Sequence, residues 1–271
     1  MEPHINLTAY NGVEELKRFS KAEFHQYCQA KLNSCEGYVK FIGENCGPAL
    51  PDWQGKVCEI GSGNSKLLYG LERAGLLQQG VGFELSPTRH RFAERFKAWI
   101  QSRQVVNCNQ DVLNTAWLDR YDLIIGVDLV FQLIEPVAPE NERKLLRWIW
   151  NSLRPNGYLL LQLMDLSRIL QMIRIQDGVY YWWERFPEYD PWELVLVEFS
   201  LDERKDLVWD KTFLKRGSQE RSHFVNILRN YPPRVMLKLL EQHGFAARLF
   251  GEASGIGLEQ DEYIILAQKL P

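Results

Sequence analysis

The sequence predicts an α/β fold with a doubly wound, seven-stranded, mostly parallel sheet, an antiparallel β insertion and N-terminal helices. Three observations lead to this prediction. From Val57 onward, short apolar runs alternate with helical patterns, which is typical of βαβ units. Between about Asp177 and Asn230, strand patterns follow one another without helices. The chain has 271 residues, 45% of them hydrophobic, and this is sufficient for a sizeable core.

The alternating part predicts a Rossmann-like sheet covered by helices. Strands are predicted near 57–60, 80–84, 104–108, 121–127 and 157–163. After the second strand, Ser86 is expected to cap a helix with Pro87 at its first position. Another helix is predicted around 142–153, before the turn Pro155-Asn156-Gly157. Continuous apolar strands of this kind are normally buried on both faces.

The segments before and after this alternation complete the predicted fold. Helices are predicted at 11–31 and 33–45. Helical spacing resumes after Pro232-Pro233 and ends at Gly244, and two strand patterns, FAARLFG and YIILAQK, follow. The expected divisions are an N-terminal helical cap at 1–54, a main domain at 55–271, and a strand-rich insertion or lid at 166–231 within that domain.

Composition and charge exclude several classes of protein. The formal net charge of −3 opposes the broad basic surface that many phosphate contacts require, so no nucleic-acid partner is predicted. The N-terminal residues do not show the basic and then apolar pattern of a signal peptide, so none is expected. The sequence also contains no run of eighteen apolar residues, so we expect no membrane association. The five cysteines contain no Cys-x-x-Cys pair. We therefore predict no metal and a cytoplasmic location with reduced thiols.

A glycine-rich loop follows the first predicted strand in the stretch VCEIGSGNS. Gly61 and Gly63 would allow a ligand to approach the backbone closely. A dinucleotide-binding loop would need a third glycine where Lys66 stands, and a P-loop would need Gly-Lys-Ser/Thr, so both phosphate sites are disfavoured. Glu59 is consistent with this, because a carboxylate repels a pyrophosphate and attracts a cationic amine.

Two further acids follow the next two predicted strands. Glu84 ends the second strand, and its two oxygens suit the paired hydroxyls of a ribose. Asp111 follows the third strand, where it could accept a hydrogen bond from the exocyclic amine of adenine. A ligand with an α-amino group, a ribose and an adenine is therefore expected, and S-adenosylmethionine has all three.

These segments resemble the motifs of class I S-adenosylmethionine-dependent methyltransferases over roughly Gly55 to Lys269. EIGSGNS resembles the first motif, GFELS the second and NQDVL the third, and YDLIIGVDLVFQL with LLRWIWNSLRPNGYLLL resembles the fourth and the pattern after it. The resemblance implies S-adenosyl-L-methionine as cofactor and S-adenosyl-L-homocysteine as product. The cofactor-binding residues that it implies, together with the acids above, are Glu59, Gly61, Ser62, Gly63, Glu84, Leu85, Asp111, Val112, Asp128 and Leu129.

The chain departs from the family pattern at two positions. Ser65 stands where the family usually has a third glycine, and a side chain is expected there only if the backbone φ is negative. Gln132 stands near the place where many small-molecule members have a histidine, and glutamine cannot act as a base. No catalytic residue is therefore assigned, and His223 and His25 are the candidates for a general base.

The strand-rich insertion and the tail RNYPPRVMLKLLEQHGFAARLFG resemble those of small-molecule members, which predicts methyl transfer to an oxygen or nitrogen of a small-molecule acceptor. Candidate substrate-binding residues, for which core or structural roles are the alternative, are Tyr181, Trp182, Trp183, Arg229 and Tyr231. Lys211 and its basic neighbours alternate with acids, which is typical of a solvated hairpin.

Two alternative functions are compatible with the same motifs. One is methylation of a peptide, protein or RNA, and the other is binding of S-adenosylmethionine without turnover, because cofactor and catalytic residues are different sets. Both a monomer and a homodimer are compatible with the sequence.

Overall fold

A computed structural model describes residues 4–47, 52–116, 121–188, 190 and 192–270 of the chain. The strands of the central sheet are β1 (Lys56–Ile60), β2 (Gln79–Phe83), β3 (Val105–Cys108), β4 (Tyr121–Gly126), β5 (Leu153–Met164), β10 (Phe245–Phe250) and β11 (Glu262–Lys269). Their order across the sheet is β10-β11-β5-β4-β1-β2-β3. Strands β1 to β5 pair in parallel, and β11 is antiparallel to both of its neighbours. The predicted seven-stranded, mostly parallel sheet is confirmed.

The helices of the described chain are α1 (Ile5–Thr8), α2 (Lys21–Asn33), α3 (Glu36–Asn45), α4 (Lys66–Arg73), α5 (Pro87–Ile100), α6 (Val130–Ile134), α7 (Asn141–Ser152), α8 (Ser167–Ile175) and α9 (Pro233–Gln242). As predicted, Ser86 caps α5 and Pro87 is its first residue. The predicted helix at 11–31 is wrong over its first half, because Ser20 and Glu23 form a capping box that starts α2 at Lys21.

Helices cover both faces of the central sheet. On one face, α2 to α5 bury Phe24, Leu68 and Phe92 against residues such as Leu123 of β4. On the other face, α7 and α9 pack their apolar stripes against β4 and β5. Burial on both faces explains why the parallel strands are continuously apolar in sequence. None of the helices in the described ranges is long and apolar enough to cross a membrane.

The predicted insertion forms a second, antiparallel sheet. It consists of β6 (Tyr180–Arg185), β7 (Trp192–Leu201), β8 (Leu207–Lys215) and β9 (Arg221–Leu228), in the order β6-β7-β8-β9. Its inner face packs against α8 and Leu129, burying Val197, Phe199 and Leu207. Helix α8 lies between β5 and this sheet, within the predicted insertion range of 166–231, and it was not predicted.

One residue of the insertion lies on the opposite face from the one predicted. Lys211 belongs to the inner face of β8 with Leu207 and Trp209, and it is buried. Interleaved acids such as Asp210 point outward, because successive side chains of a strand alternate between its faces. The expectation of a solvated hairpin is therefore wrong for Lys211.

The division into a cap at 1–54, a domain at 55–271 and an insertion at 166–231 stays a prediction. Residues 1–3, 48–51, 117–120, 189, 191 and 271, which fall within those ranges, lie outside the described residues.

Candidate functional site

A cavity of about 220 Å³ opens at the carboxyl ends of β1, β2 and β4. The strand order reverses between β1 and β4, and ligands of open α/β sheets bind at such a point. The predicted cofactor-binding residues that line it are Gly61, Glu84, Leu85, Asp111, Val112 and Asp128. Ser62 and Gly63 belong to the loop beside it, and Glu59 lies beneath its floor at the end of β1.

The glycine loop is held in an unusual backbone conformation. Gly61 has φ of 64°, and a Cβ atom on it would lie 2.4 Å from Cγ2 of Val130. Gly63 has φ of 56°, and a Cβ atom there would lie 2.2 Å from Nη2 of Arg89. The close approach of Val130 and the backbone geometry both require glycine at position 61, whereas at position 63 the positive φ favours glycine and the nearest atoms belong to the end of a flexible side chain.

Ser65 corrects the expectation about the missing third glycine. Its φ is 59°, in the left-handed region, rather than negative. The residue is fully buried, and its hydroxyl donates to Oδ1 of Asn107 at 2.7 Å. Its amide donates to the carbonyl of Ser62 at 2.7 Å. These bonds hold a conformation that is costly for a residue with a side chain.

Glu84 ties the glycine loop to the start of α5. Its Oε2 accepts from the amide of Gly63 at 2.8 Å, and its Oε1 accepts from the amide of Ser86 at 2.7 Å. A carboxylate oxygen has two acceptor positions, so each oxygen can accept one further hydrogen bond from the cavity. The carboxylate is thus positioned by backbone donors and can still bind hydroxyl groups.

Asp111 lies across the cavity from the glycine loop. It caps a short 3-10 helix at Val112–Asn114, with its Oδ1 accepting from the amide of Leu113 at 2.9 Å. The apolar side chains of Leu85 and Val112 line the cavity beside it. A flat ring could lie between these side chains and hydrogen bond to the carboxylate at its edge.

Asp128, just after β4, places its carboxylate in the cavity, and both it and the next residue have a strained backbone. Asp128 and Leu129 have φ of 55° and 61°, and such backbone outliers cluster at functional sites. Asp128 lies 3.6 Å from Nζ of Lys66, which keeps its pKa below the ordinary value. The amide of Asp128 donates to Oε1 of Gln162 at 2.9 Å. Lys66 stands where a dinucleotide-binding loop would have its third glycine. Its ammonium compensates the charge of Asp128.

Glu59 is buried without full compensation. Within the described chain its Oε2 has no hydrogen-bond partner. Burial, and next the nearby charge of Asp128, raise its pKa to about 8. A cation bound above the loop would favour the ionised form.

Arg89 is a residue of the cavity that sequence reasoning missed. Its Nε donates to Glu14 at 3.2 Å, and its Nη1 lies 3.8 Å from Oε2 of Glu84. Burial would lower the pKa of Arg89, but the two carboxylates raise it above its ordinary value. A cation in the first turn of a helix opposes the helix dipole, and this was the available signal in SPTRHR.

The N-terminal segment lines the cavity and is attached to two other parts of the fold. Asn6 donates to the carbonyls of Leu133 and Ile227 at 2.8 and 2.7 Å, and it accepts from the amide of Ile227 at 2.7 Å. Glu14 accepts from Asn64 of the glycine loop at 2.5 Å. Tyr10 lines the cavity between these two attachments. The segment therefore bridges the insertion and the glycine loop.

Solved structures with the same architecture cover most of the chain. A methyltransferase that depends on S-adenosylmethionine, from Clostridium acetobutylicum, has a TM-score of 0.70 at 14% identity and covers 88% of this chain and 92% of its own. A methyltransferase from Streptomyces caelestis has a TM-score of 0.68 at 14% identity, with coverages of 87% and 89%. The chain shares the fold of these two solved structures.

A third such structure is the SAM-bound amino pentose methyltransferase of calicheamicin biosynthesis from Micromonospora echinaspora. Its TM-score is 0.63 at 14% identity, and the match covers 93% of this chain and 97% of that one. No protein-family model matches the sequence, and no curated protein matches it either. The likeness to these solved structures is therefore one of fold, at 14% sequence identity.

Several predicted residues lie away from the cavity of this methyltransferase fold. His25 stacks on Trp99 with ring centroids 5.2 Å apart, and neither ring lines the cavity. His223 is exposed on the insertion sheet and bonds to Asp210 at 2.7 Å. Leu129 packs into the core beneath the insertion. The structure thus does not bring either candidate base to the cavity.

The predicted acceptor residues also lie outside the cavity. Tyr181, Trp182 and Trp183 are 65%, 41% and 61% exposed on β6, the edge strand of the insertion. Arg229 forms a two-pronged ion pair with Asp206. These side chains face solvent or stabilise the insertion.

Two polar groups near the end of β5 have structural roles. The hydroxyl of Tyr231 donates to Glu142. Gln132 is fully buried, and it bonds to the backbone of Met164 and to the carbonyl of Arg229. It joins α6, β5 and the end of β9, which explains why glutamine rather than histidine occupies this place.

Proposed function

We propose that the chain transfers a methyl group from S-adenosylmethionine to an oxygen or nitrogen of a small molecule. The observation that carries the proposal is the convergence of Gly61, Glu84, Asp111 and Asp128 on one cavity at the switch point of a methyltransferase fold. The chemistry of these groups matches the amine, ribose and adenine of that cofactor.

An orphaned carboxylate supports the fit of the cofactor. Glu59 holds a buried oxygen that has no partner among the described residues, and Asp128 presents a second carboxylate to the cavity. Both acids favour a cationic ligand, and neither favours a phosphate. Glu84 would hold the ribose hydroxyls, and Asp111 with Val112 would hold the adenine.

The residues of the chain would contribute position and exclusion of water. S-adenosylmethionine supplies a methyl group that its sulfonium has already activated. Glu84 and Asp111 would fix the ribose and the adenine, and Asp128, at the end of β4, would lie beside the reacting methyl group. Correct orientation of two reactants can lower a barrier by about 7–11 kcal/mol, so a dedicated base is not obligatory. This agrees with the location of His25 and His223 outside the cavity.

The closure of the cavity supports a small acceptor. The N-terminal segment is tied to β9 by Asn6 and to the glycine loop by Glu14, so it spans the opening. A protein or RNA substrate would need an open groove instead. The solved structure from Micromonospora echinaspora that matches 93% of this chain is described as an amino pentose methyltransferase, which supports a small acceptor.

Calorimetric titration and thermal shift with S-adenosylmethionine, S-adenosylhomocysteine and NAD test the cofactor. The first two should raise the midpoint of unfolding, because a ligand that binds only the folded state stabilises it by mass action, and NAD should not. Glu84→Gln should weaken binding of S-adenosylhomocysteine about tenfold or more, or about 1.4 kcal/mol. The control is Glu44→Gln, whose side chain is 63% exposed on α3.

Transfer of labelled methyl to panels of amines, phenols, carboxylic acids and peptides tests the acceptor. Labelling of small molecules supports the proposal, and labelling of peptides alone would favour the macromolecular alternative. Cofactor binding without label transfer to any panel would favour a binding protein. Absence of binding by either sulfur nucleoside would contradict the proposal as a whole.

A further inference from the structure

A buried lysine without a carboxylate lies on the inner face of the insertion sheet. Lys211 of β8 is 9% exposed, and no acidic side chain of the described residues forms an ion pair with it. Its Nζ lies 4.1 Å from the ring centroid of Trp209 and 5.0 Å from that of Phe224. The nearest acid on its strand, Asp210, bonds to His223 on the outer face. Lysine is almost never buried unless it is paired.

The polar groups around this lysine are unsatisfied donors. Nζ of Lys211 donates to Oδ1 of Asn226 at 2.8 Å, and an ammonium has two further N–H groups. In the described structure, Nδ2 of Asn226 and Nε1 of Trp209 are buried and have no hydrogen-bond partner. Asn226 is itself 1% exposed. The cluster therefore offers several buried donors and needs a ligand that supplies acceptors and negative charge.

One side chain separates this cluster from the cavity. The ring of Tyr10 lines the cavity, and its hydroxyl donates to Oδ1 of Asn226 at a long 3.3 Å. The orientation of the Asn226 amide follows from this network, since both Lys211 and Tyr10 donate to its oxygen. Displacement of the Tyr10 ring would join the cluster to the cavity, and it would break this hydrogen bond and the ring contacts with Arg89 and Phe224.

We infer that Lys211, Asn226 and Trp209 bind an acidic oxygen group of the methyl acceptor. The inference deepens the proposed function and rests on it. The ammonium and the amide supply charge and hydrogen bonds, while Trp209 and Phe224 flank the group with aromatic rings. The acceptor is thus a small molecule that carries a carboxylate or a comparable acidic group in addition to the atom that is methylated. The methylated atom lies on the cavity side of Tyr10.

Proton uptake provides a signature that a structural lysine would lack. Burial lowers the pKa of Lys211 to about 7. The titratable and charged groups that face the cluster are Tyr10 on the N-terminal segment and, beyond its ring, Arg89 of α5 at 5.3 Å. The pKa of Tyr10 is raised by burial, so this phenol is neutral at pH 8. An anion beside Lys211 would restore its ammonium and take up a proton at that pH.

The test is calorimetry with 4-aminobenzoate and 4-aminobenzamide, which differ by one negative charge. The titrations are done at pH 8 on the full chain saturated with S-adenosylhomocysteine, in two buffers of different ionisation enthalpy. We expect 4-aminobenzoate to bind at least about tenfold more tightly than the amide and to take up close to one proton per site. Lys211→Met should lose both the preference and the proton uptake.

Two further variants separate a binding role from a structural one. Asn226→Asp places an internal carboxylate beside Lys211, and it should abolish binding of 4-aminobenzoate although the lysine is still present. Lys215→Met, at the end of the same strand and paired with Glu220 at 2.9 Å, should change nothing. Equal affinity for the two probes, no binding of 4-aminobenzoate, or proton uptake that persists in Lys211→Met would each overturn the inference.

Binding of the cofactor product is measured separately from binding of the two probes. Titration with S-adenosylhomocysteine alone precedes the probes and does not involve Lys211. If the nucleoside binds and the carboxylate does not, only the inference about the acceptor fails. If the nucleoside does not bind, the proposed function fails first.

Discussion

Arg89 and Lys211 are two cations near Tyr10, one over its ring and the other sharing Asn226 with its hydroxyl, and their surroundings differ sharply. Arg89 lies beside the carboxylates of Glu14 and Glu84, which raise its pKa. Lys211 has aromatic rings and one amide oxygen around it, and burial lowers its pKa to about 7. A compensated charge holds the structure together, whereas an uncompensated one indicates a place where a ligand completes the site.

The largest effect should follow from removing the compensated charge. Arg89→Met leaves the carboxylates of Glu14 and Glu84 buried without their cation. Breaking a buried ion pair from one side costs about 3–5 kcal/mol, so the free energy of unfolding should fall by that amount in urea titration. Arg143→Met, which removes an arginine that is 62% exposed and paired with an exposed glutamate, is the matched control and should leave the urea midpoint unchanged. Equal effects of the two substitutions would remove the distinction between the two cations.

Removing the uncompensated charge of Lys211 should raise the free energy of unfolding, whereas Arg89→Met lowers it. Lys211→Met replaces a buried ammonium with an apolar side chain of similar length, and the free energy of unfolding at pH 6 should rise by about 1–4 kcal/mol. The measurement is the same urea titration, with Lys215→Met as the control on β8. A loss of stability in Lys211→Met would show that the lysine is structural.

The stabilisation by Lys211→Met should also depend on pH. The folded-state pKa of about 7 lies below the ordinary value of 10.5, so the wild-type chain is penalised most below pH 7. The penalty fades as pH rises from about 7 to 10.5, because folding then releases the proton of the lysine and this release costs less at higher pH. The difference between variant and wild type should therefore shrink from pH 6 to pH 10 by up to about 1.4 kcal/mol per pH unit above pH 7. A difference that is constant with pH would contradict the titration of Lys211.

The smallest effect concerns the residue between the two cations. Tyr10→Phe removes a hydroxyl whose bond to Asn226 is 3.3 Å long, so unfolding should be easier by about 0.5–1 kcal/mol. Tyr181→Phe, on a ring that is 65% exposed, should have no effect on the urea midpoint. Destabilisation by Tyr10→Phe beyond that of Arg89→Met would make the phenol, rather than the ion pairs, the main support of the N-terminal segment.

The cofactor side could be predicted because its signals are local in sequence. Each βα junction combines an apolar strand, a turn and a helix start within a few residues, and Glu84 and Asp111 follow their strands directly. The fold class follows from the same alternation, and the central sheet and the antiparallel insertion are confirmed. A carboxylate at a strand end can be recognised from its own neighbours.

The acceptor side could not be predicted because it is assembled from distant segments. Lys211 lies among acids in sequence, and only the register of β8 and β9 places it opposite Phe224. Tyr10 reaches the same cluster from the N-terminal segment, which precedes the predicted helix at 11–31. The positive φ of Ser65 depends on a partner from β3, Asn107, that motif reasoning does not include.

Strand β11 lies between β10 and β5, although it is the last strand of the sheet along the chain. A ribosome therefore releases β5 about a hundred residues before the partner for its outer edge exists. Until then that hydrophobic edge offers unpaired amides and carbonyls to any neighbouring polypeptide. Synthesis of this protein thus includes a period in which the nascent chain is open to edge-to-edge pairing, and truncation before residue 262 would leave that edge uncovered.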